Sequence, residues 1–308
     1  MEPIKEHQSY QQTYGTLHRD VTVRPSVCTE LEDASRDYRQ YKNTYYKWGG
    51  MKKSFLFLFF LSTTQTTPWN YGDVHIIGDS HSAYSFTNIY AQSIPPTPPA
   101  SDWPLTCETS TFVYNMGQDQ VLSVPFQIHW ISRTMHMIGI LGLQELDFRS
   151  YNMKDGDFAV LTFGGIDAYH GSIIKQYVLG RELDEITEKL AKNYIEAILE
   201  NQKLYKEMNI IVVAVTPPCI FEHNRKVYVQ RDRDLPFEKF IVVSNRMLND
   251  YLAHYCIINR FIYLDVTSSF EDQNGILRPE MSDGEHHIKP CFNYIIKQKL
   301  IDLIQCAA

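Results

Sequence analysis

Two short polar segments near opposite ends of the chain carry residue types that together perform nucleophilic chemistry. The first is Gly78-Asp79-Ser80-His81. A Ser hydroxyl is a weak nucleophile until a base takes its proton, and that base needs a third group to fix its tautomer. The second segment, Ser282-Asp283-Gly284-Glu285-His286-His287-Ile288-Lys289-Pro290, offers both. Asp283 precedes His286 by three residues and His287 by four, so one short turn can supply acceptor and base. Each segment also has a plainer reading. Asp79 or Ser80 alone is a good helix cap, and two His in a polar loop can simply titrate in solvent. What distinguishes the readings is where the elements between them place the two segments.

Those elements alternate. Short apolar or β-branched runs at Asp73–Ile77, Thr111–Asn115, Phe158–Phe163, Ile210–Val215 and Phe261–Val266 read as strands. Helices are expected near Ala83–Gln92, Pro125–Leu143, Leu183–Met208, Pro236–His254 and Phe292–Gln305. In the third, Leu183, Ile186, Leu190, Tyr194 and Ile198 recur at three- and four-residue steps, an apolar stripe for a sheet face. The pattern predicts an α/β fold, a three-layer α/β/α sandwich with a mainly parallel central sheet. Ligands of such sheets bind beyond the carboxyl ends of the strands. Ser80 is the third residue after the first run, and Asp283 with its His neighbours lies between the last run and the last helix. Gly78 would allow a tight strand-to-helix turn, with the Ser80 hydroxyl and N–H exposed at a helix N-terminus. Pro95, Pro96, Pro98, Pro99 and Pro104 mark a surface loop.

Composition bounds the rest. With 308 residues, 44% of them hydrophobic, the chain can build a sizeable core, and a net charge of −7 gives no footprint for nucleic acid. The apolar run Phe55–Leu61 is too short to span a bilayer as a helix. Six scattered cysteines show no C-x-x-C pair and no zinc spacing, so mostly free, buried thiols are expected. Residues 51–69 have the layout of a signal peptide, with Met51-Lys52-Lys53 before Phe55–Leu61 and a polar tail. The alternative is a strand or clamp against the domain that follows. The expected organisation is a poorly structured extension over 1–50 upstream of a start at Met51, a leader over 51–69, and one domain over 70–308. A start at Met51 implies export; otherwise the protein is cytoplasmic.

The two polar blocks resemble those of the SGNH/GDSL hydrolase superfamily. Gly78, Asp79 and Ser80 match its first block, and Asp283 with His286 matches its final Asp-x-x-His. The likeness runs from about Asp73 to the C-terminus. More narrowly, the chain resembles a bacterial subgroup with a GDSH first block, a middle Gly-Glu-Ile-Asp and a final Ser-Asp-Gly-x-x-His-Ile. Here the middle block reads Phe163-Gly164-Gly165-Ile166-Asp167. The resemblance implies a three-layer fold of the flavodoxin-like type, with Ser80 as nucleophile and Asp283 orienting the base. That base is His286 by superfamily spacing and His287 by the subgroup pattern, which Ile288 favours. It further implies an oxyanion hole from the Ser80 N–H and the Gly117 N–H.

The middle block departs from the superfamily, where an Asn donates to the oxyanion; Ile166 stands in its place and has no side-chain donor. Asp167 is expected to face the crevice, binding substrate, fixing a loop or capping the next turn. Arg133, on the helix expected over 125–143, either meets an anionic or sugar group or is solvated at the surface. His129 and His136, seven apart on that helix, are expected to be packing or surface residues, not metal ligands. The implied activity is ester hydrolysis on a small ester or O-acylated glycan, without cofactor or metal. An acyltransferase would use the same acyl-enzyme, and Ile166 favours a non-catalytic glycan-binding or interaction protein on the same scaffold. No residue pattern sets an oligomeric state.

Overall fold

Short runs of apolar residues bury both faces of a central sheet. The computed structural model describes residues 65–79, 85–86, 106–117, 120–131, 133–169, 172–220, 225, 228, 235–284 and 287–307. The chain divides into Met1–Phe60 and Leu61–Ala308, and every described residue lies in the second unit. The extension over 1–50, most of the leader, the Pro-rich loop, Ser80 and His286 lie outside the described residues.

Among the described residues, seven strands form one sheet: β1 (Gln65–Thr67), β2 (Val74–Gly78), β3 (Thr106–Gly117), β4 (Gln120–Trp130), β5 (Phe158–Thr162), β6 (Asn209–Val213) and β7 (Ile262–Leu264). All neighbours run parallel except the β3–β4 pair. β3 occupies one whole edge of β4, so β1 and β2 share the other, β1 against Gln120–Leu122 and β2 against Phe126–Trp130. β5, β6 and β7 follow beyond β2. The sheet therefore starts at Gln65, inside the segment expected to be leader.

The helices are α1 (Met135–Leu141), α2 (Gly165–Tyr169), α3 (Ser172–Val178), α4 (Leu183–Gln202), α5 (Phe237–Asn259) and α6 (Asn293–Ala307). Alternate strand residues face opposite layers. Ile77, Leu161 and Val212 join Met135, Tyr194, Ile198 and Leu248 in one apolar cluster; Ile76, Val160 and Ile211 join Ile296, Leu300 and Ile304 in another. The result is the three-layer α/β/α arrangement with a mainly parallel sheet. The stripe expected on α4 is buried throughout. Among the described residues, no helix is long and apolar enough to cross a membrane.

The sequence expectation fails over 125–143. Instead of one helix, β4 runs to Trp130 and only Met135–Leu141 is helical. Leu122, Val124, Phe126 and Ile128 are buried while Val121, Ser123, Pro125 and Gln127 are partly exposed, a period of two that a strand requires. Pro125 falls in the interval of β4 that β1 and β2 leave unpaired, where a residue without an N–H is tolerated. His129 is thus a strand residue and shares no helix face with His136. The thiols also differ in part from expectation. Cys256 is buried, but Cys291 and Cys306 are exposed.

Candidate active site

Four loops meet at the carboxyl end of the sheet. β2 ends at Gly78, which pairs with Trp130 on one side and Thr162 on the other. Gly78 is therefore part of the ladder, and the chain leaves the sheet at Asp79. The Asp79 N–H donates to the Thr162 carbonyl at 3.3 Å, and its side chain is buried. Asp79, Phe86, Thr162, Gly165, Thr216 and Ile296 line a crevice over the ends of β2, β5 and β6.

After β5 the chain turns through Gly164 at φ 107°, in the region that favours glycine. A Cβ there would stand 2.7 Å from the Val215 side chain and 2.8 Å from that of Met135. Gly164 thus allows the loop after β6 and the start of α1 to close on the loop after β5. Asp167 then secures this junction. Its buried carboxylate accepts from the Met135 N–H at 2.7 Å, the His136 N–H at 3.3 Å and the Ser172 hydroxyl at 2.7 Å. Burial pushes its pKa up, against the pull of those donors. Replacing Asp167 with Ala strands one buried donor, the Met135 N–H, and two part-buried ones, and is expected to cost about 3 kcal/mol of stability. Urea unfolding tests this; a change below about 1 kcal/mol would show that the donors find other partners.

The loop after β6 is held by α5. Asn249 accepts from the Val215 N–H at 2.8 Å and donates to the Val215 carbonyl at 2.9 Å, while Asn245 donates to the Thr216 carbonyl at 3.0 Å. Sequence reasoning missed both residues. Two Asn four apart on the apolar face of a long helix were the available signal.

This loop also anchors the segment before α6. The Leu277 N–H donates to the Pro218 carbonyl at 2.9 Å, and Cys219 Sγ lies 3.9 Å from Ser282 Oγ. Ser282 bridges to Ile288, and Ile288 is buried in the apolar cluster beside α6. Between them the turn brings Asp283 and His287 together. His287 Nδ1 lies 3.1 Å from Asp283 Oδ2, its N–H donates to Asp283 Oδ1 at 3.2 Å, and the Asp283 N–H donates to the His287 carbonyl at 3.0 Å. The imidazole is 5% exposed. With Nδ1–H directed to the carboxylate, Nε2 is the nitrogen that can accept a proton.

Two other expected residues fall differently. Gly117 pairs with Gln120 at the amino end of β4, ten residues before Trp130. Along a strand that is roughly 30 Å from the crevice end, so Gly117 supplies no oxyanion donor there. The error came from taking β3 as a short parallel strand, when it is the long antiparallel partner of β4. Arg133 lies in the turn between β4 and α1, at the crevice end rather than within a helix, and forms an ion pair with Glu145.

Comparison with known proteins gives likeness of shape alone. The chain is similar to the crystal structure of a GDSL-like lipase from Bacteroides thetaiotaomicron, at 11% identity over 88% of this chain and 98% of that one, TM-score 0.45. It is also similar to a carbohydrate acetylesterase from Sinorhizobium meliloti, at 12% identity over 77% and 100%, TM-score 0.44. A third is phospholipase A1 from Streptomyces albidoflavus, at 11% identity over 74% and 99%, TM-score 0.39. No family model and no curated protein matches the chain.

Chemically, the turn before α6 holds a carboxylate–imidazole pair that can take and return a proton. It needs a nucleophile and an oxyanion site to become catalytic.

Proposed function

We propose that this chain is a serine ester hydrolase. Ser80 attacks the acyl carbon, His287 Nε2 takes its proton and returns it to the leaving alkoxide, and Asp283 stabilises the imidazolium. Water then attacks the acyl-enzyme through the same base, releasing the acid and restoring Ser80. The observation that carries the reading is the Asp283–His287 pair, a nearly buried imidazole oriented by a carboxylate on a turn tied to the loop after β6. Ser80 follows Asp79 at the carboxyl end of β2, where its N–H would face the oxyanion. Substrates of this reading are small esters or O-acylated glycans, with Arg133 and the crevice lining selecting among them.

A fluorophosphonate probe tests the proposal. Wild-type protein is expected to label at Ser80 and to hydrolyse short p-nitrophenyl esters, and Ser80→Ala to do neither. If wild type neither labels nor turns over ester above Ser80→Ala, the hydrolase reading fails. Ile166 would then favour the second reading, a binding protein on this scaffold, because it offers no side-chain donor to an oxyanion.

A further inference from the structure

A second cluster of titratable groups lies away from the crevice, toward the amino ends of β2 and β5. Ile77 pairs with His129, so His75 and His129 rise from the same face of the sheet. Their rings are nearly parallel, with an interplanar angle of 7° and centroids 5.3 Å apart. His75 Nδ1 lies 3.1 Å from His129 Nε2. On the other edge of the same ring, His75 Nε2 has no hydrogen-bond partner among the described residues, although the residue is only 1% exposed. It faces Asp157 Oδ2 at 3.4 Å. Asp73, the residue before β2, adds a second carboxylate. One ligand atom from each of Asp73, His75 and Asp157 lies within 4.8 Å of the other two.

We propose that Asp73, His75 and Asp157 bind a divalent first-row transition-metal cation of the zinc type. Ligands about 2.0–2.1 Å from a tetrahedral ion stand roughly 3.4 Å apart. The 3.4 Å separation of His75 Nε2 and Asp157 Oδ2 fits that edge better than it fits a ring N–H bond to oxygen. The surroundings of the ring match those of a metal-bound imidazole. A ligating His donates its other N–H to an acceptor that fixes its tautomer, and His129 Nε2 is in place to accept from His75 Nδ1. That leaves the Nε2 lone pair of His75 facing the Asp157 carboxylate, with Asp73 in the same cluster.

Asp157 is already oriented. Its Oδ1 accepts from the Asp73 N–H at 3.0 Å and its Oδ2 from the Lys154 N–H at 2.7 Å, leaving a second lone pair on each oxygen. Asp73 Oδ2 is steadied by Gln127 Nε2 at 3.4 Å. Asp73 is also exposed, so an ion and its completing water can enter from that side.

The test uses the tag-free full chain, stripped by chelator and titrated with Co²⁺. The expected result is a single saturable equivalent, with visible d–d absorption that Zn²⁺ abolishes. Saturating Zn²⁺ should raise Tm by roughly 5 °C over protein in chelator. His75→Gln should abolish the absorption. Asp73→Asn, at the exposed rim, should weaken Co²⁺ binding at least about tenfold while unfolding like wild type in chelator. Asp73→Asn therefore decides the matter if His75→Gln does not fold. Absence of saturable absorption in wild type overturns the site, and so does unchanged Co²⁺ affinity in Asp73→Asn.

Discussion

The His287→Ala variant is expected to lose ester turnover by on the order of 10⁴-fold in kcat while keeping the wild-type fold. The loss has a geometric origin. The imidazole is the group that the Asp283 carboxylate orients, with Nδ1 3.1 Å from Oδ2, and in the proposed mechanism Ala would leave Ser80 without an acceptor for its proton. Asp283→Asn keeps the shape but offers an amide to Nδ1, favouring the wrong tautomer, so a loss of about 10³–10⁴-fold is expected. The two changes disable one unit, so the double variant should be no slower than His287→Ala alone. His286→Ala should retain turnover. Steady-state kinetics on p-nitrophenyl acetate, with circular dichroism to verify folding, measures all four. If His286→Ala is the inactive variant and His287→Ala is not, the base has been assigned to the wrong residue.

Much of this site is written locally, which is why part of it could be read from sequence. Asp283 lies three and four residues before His286 and His287, so spacing announces a carboxylate–imidazole pair but leaves both His eligible. The stripe of Leu183, Ile186, Leu190, Tyr194 and Ile198 likewise needs no knowledge of its partner to announce a helix face. The failures concern relations between distant segments. Whether β3 runs with or against β4 depends on a hairpin that opposes Asn115 and Gly117 to Val121 and Gln120, and that choice carries Gly117 to the far end of the sheet. Asn249 looks like a misplaced polar residue until the loop after β6 supplies the N–H and carbonyl that it satisfies. Asp157 and His75 are more than eighty positions apart, and only the parallel register of β2 with β5 brings them together. Residue types at fixed spacing reveal local chemistry; strand order and direction decide what that chemistry meets.

Strand order also sets the second large effect, a loss of stability in mild acid. In chelator, the domain is expected to lose about 3 kcal/mol between pH 6.5 and pH 4 through His129 alone. His129 is 3% exposed, and its pKa falls from 6.5 to about 4, first from burial and then from the neighbouring His75. The sign follows from linkage. Above pH 6.5 the ring is neutral in both states and its folded environment carries no proton penalty. As pH falls, the unfolded chain takes a proton that the folded protein refuses, and the difference grows until the folded pKa is reached.

Other groups move elsewhere or oppositely. Asp147 and Asp272 have lowered pKa values, so their contributions are lost below the ordinary carboxylate range. Asp167, raised by burial, contributes stability that is present in acid and lost as pH rises. The informative measurement is therefore a difference between two proteins. His129→Gln should be less stable at pH 7, having lost the ring contact with Tyr151 at 4.8 Å and the stack on His75. It should then lose less with acid, so that its urea midpoint approaches or passes that of wild type near pH 4.5. His75, also lowered, leaves the variant a residual slope of the same sign. Parallel urea midpoints for the two proteins from pH 7 to pH 4.5 would mean that His129 takes up its proton without cost in the fold, and that its burial between β2 and Tyr151 is not what sets its charge.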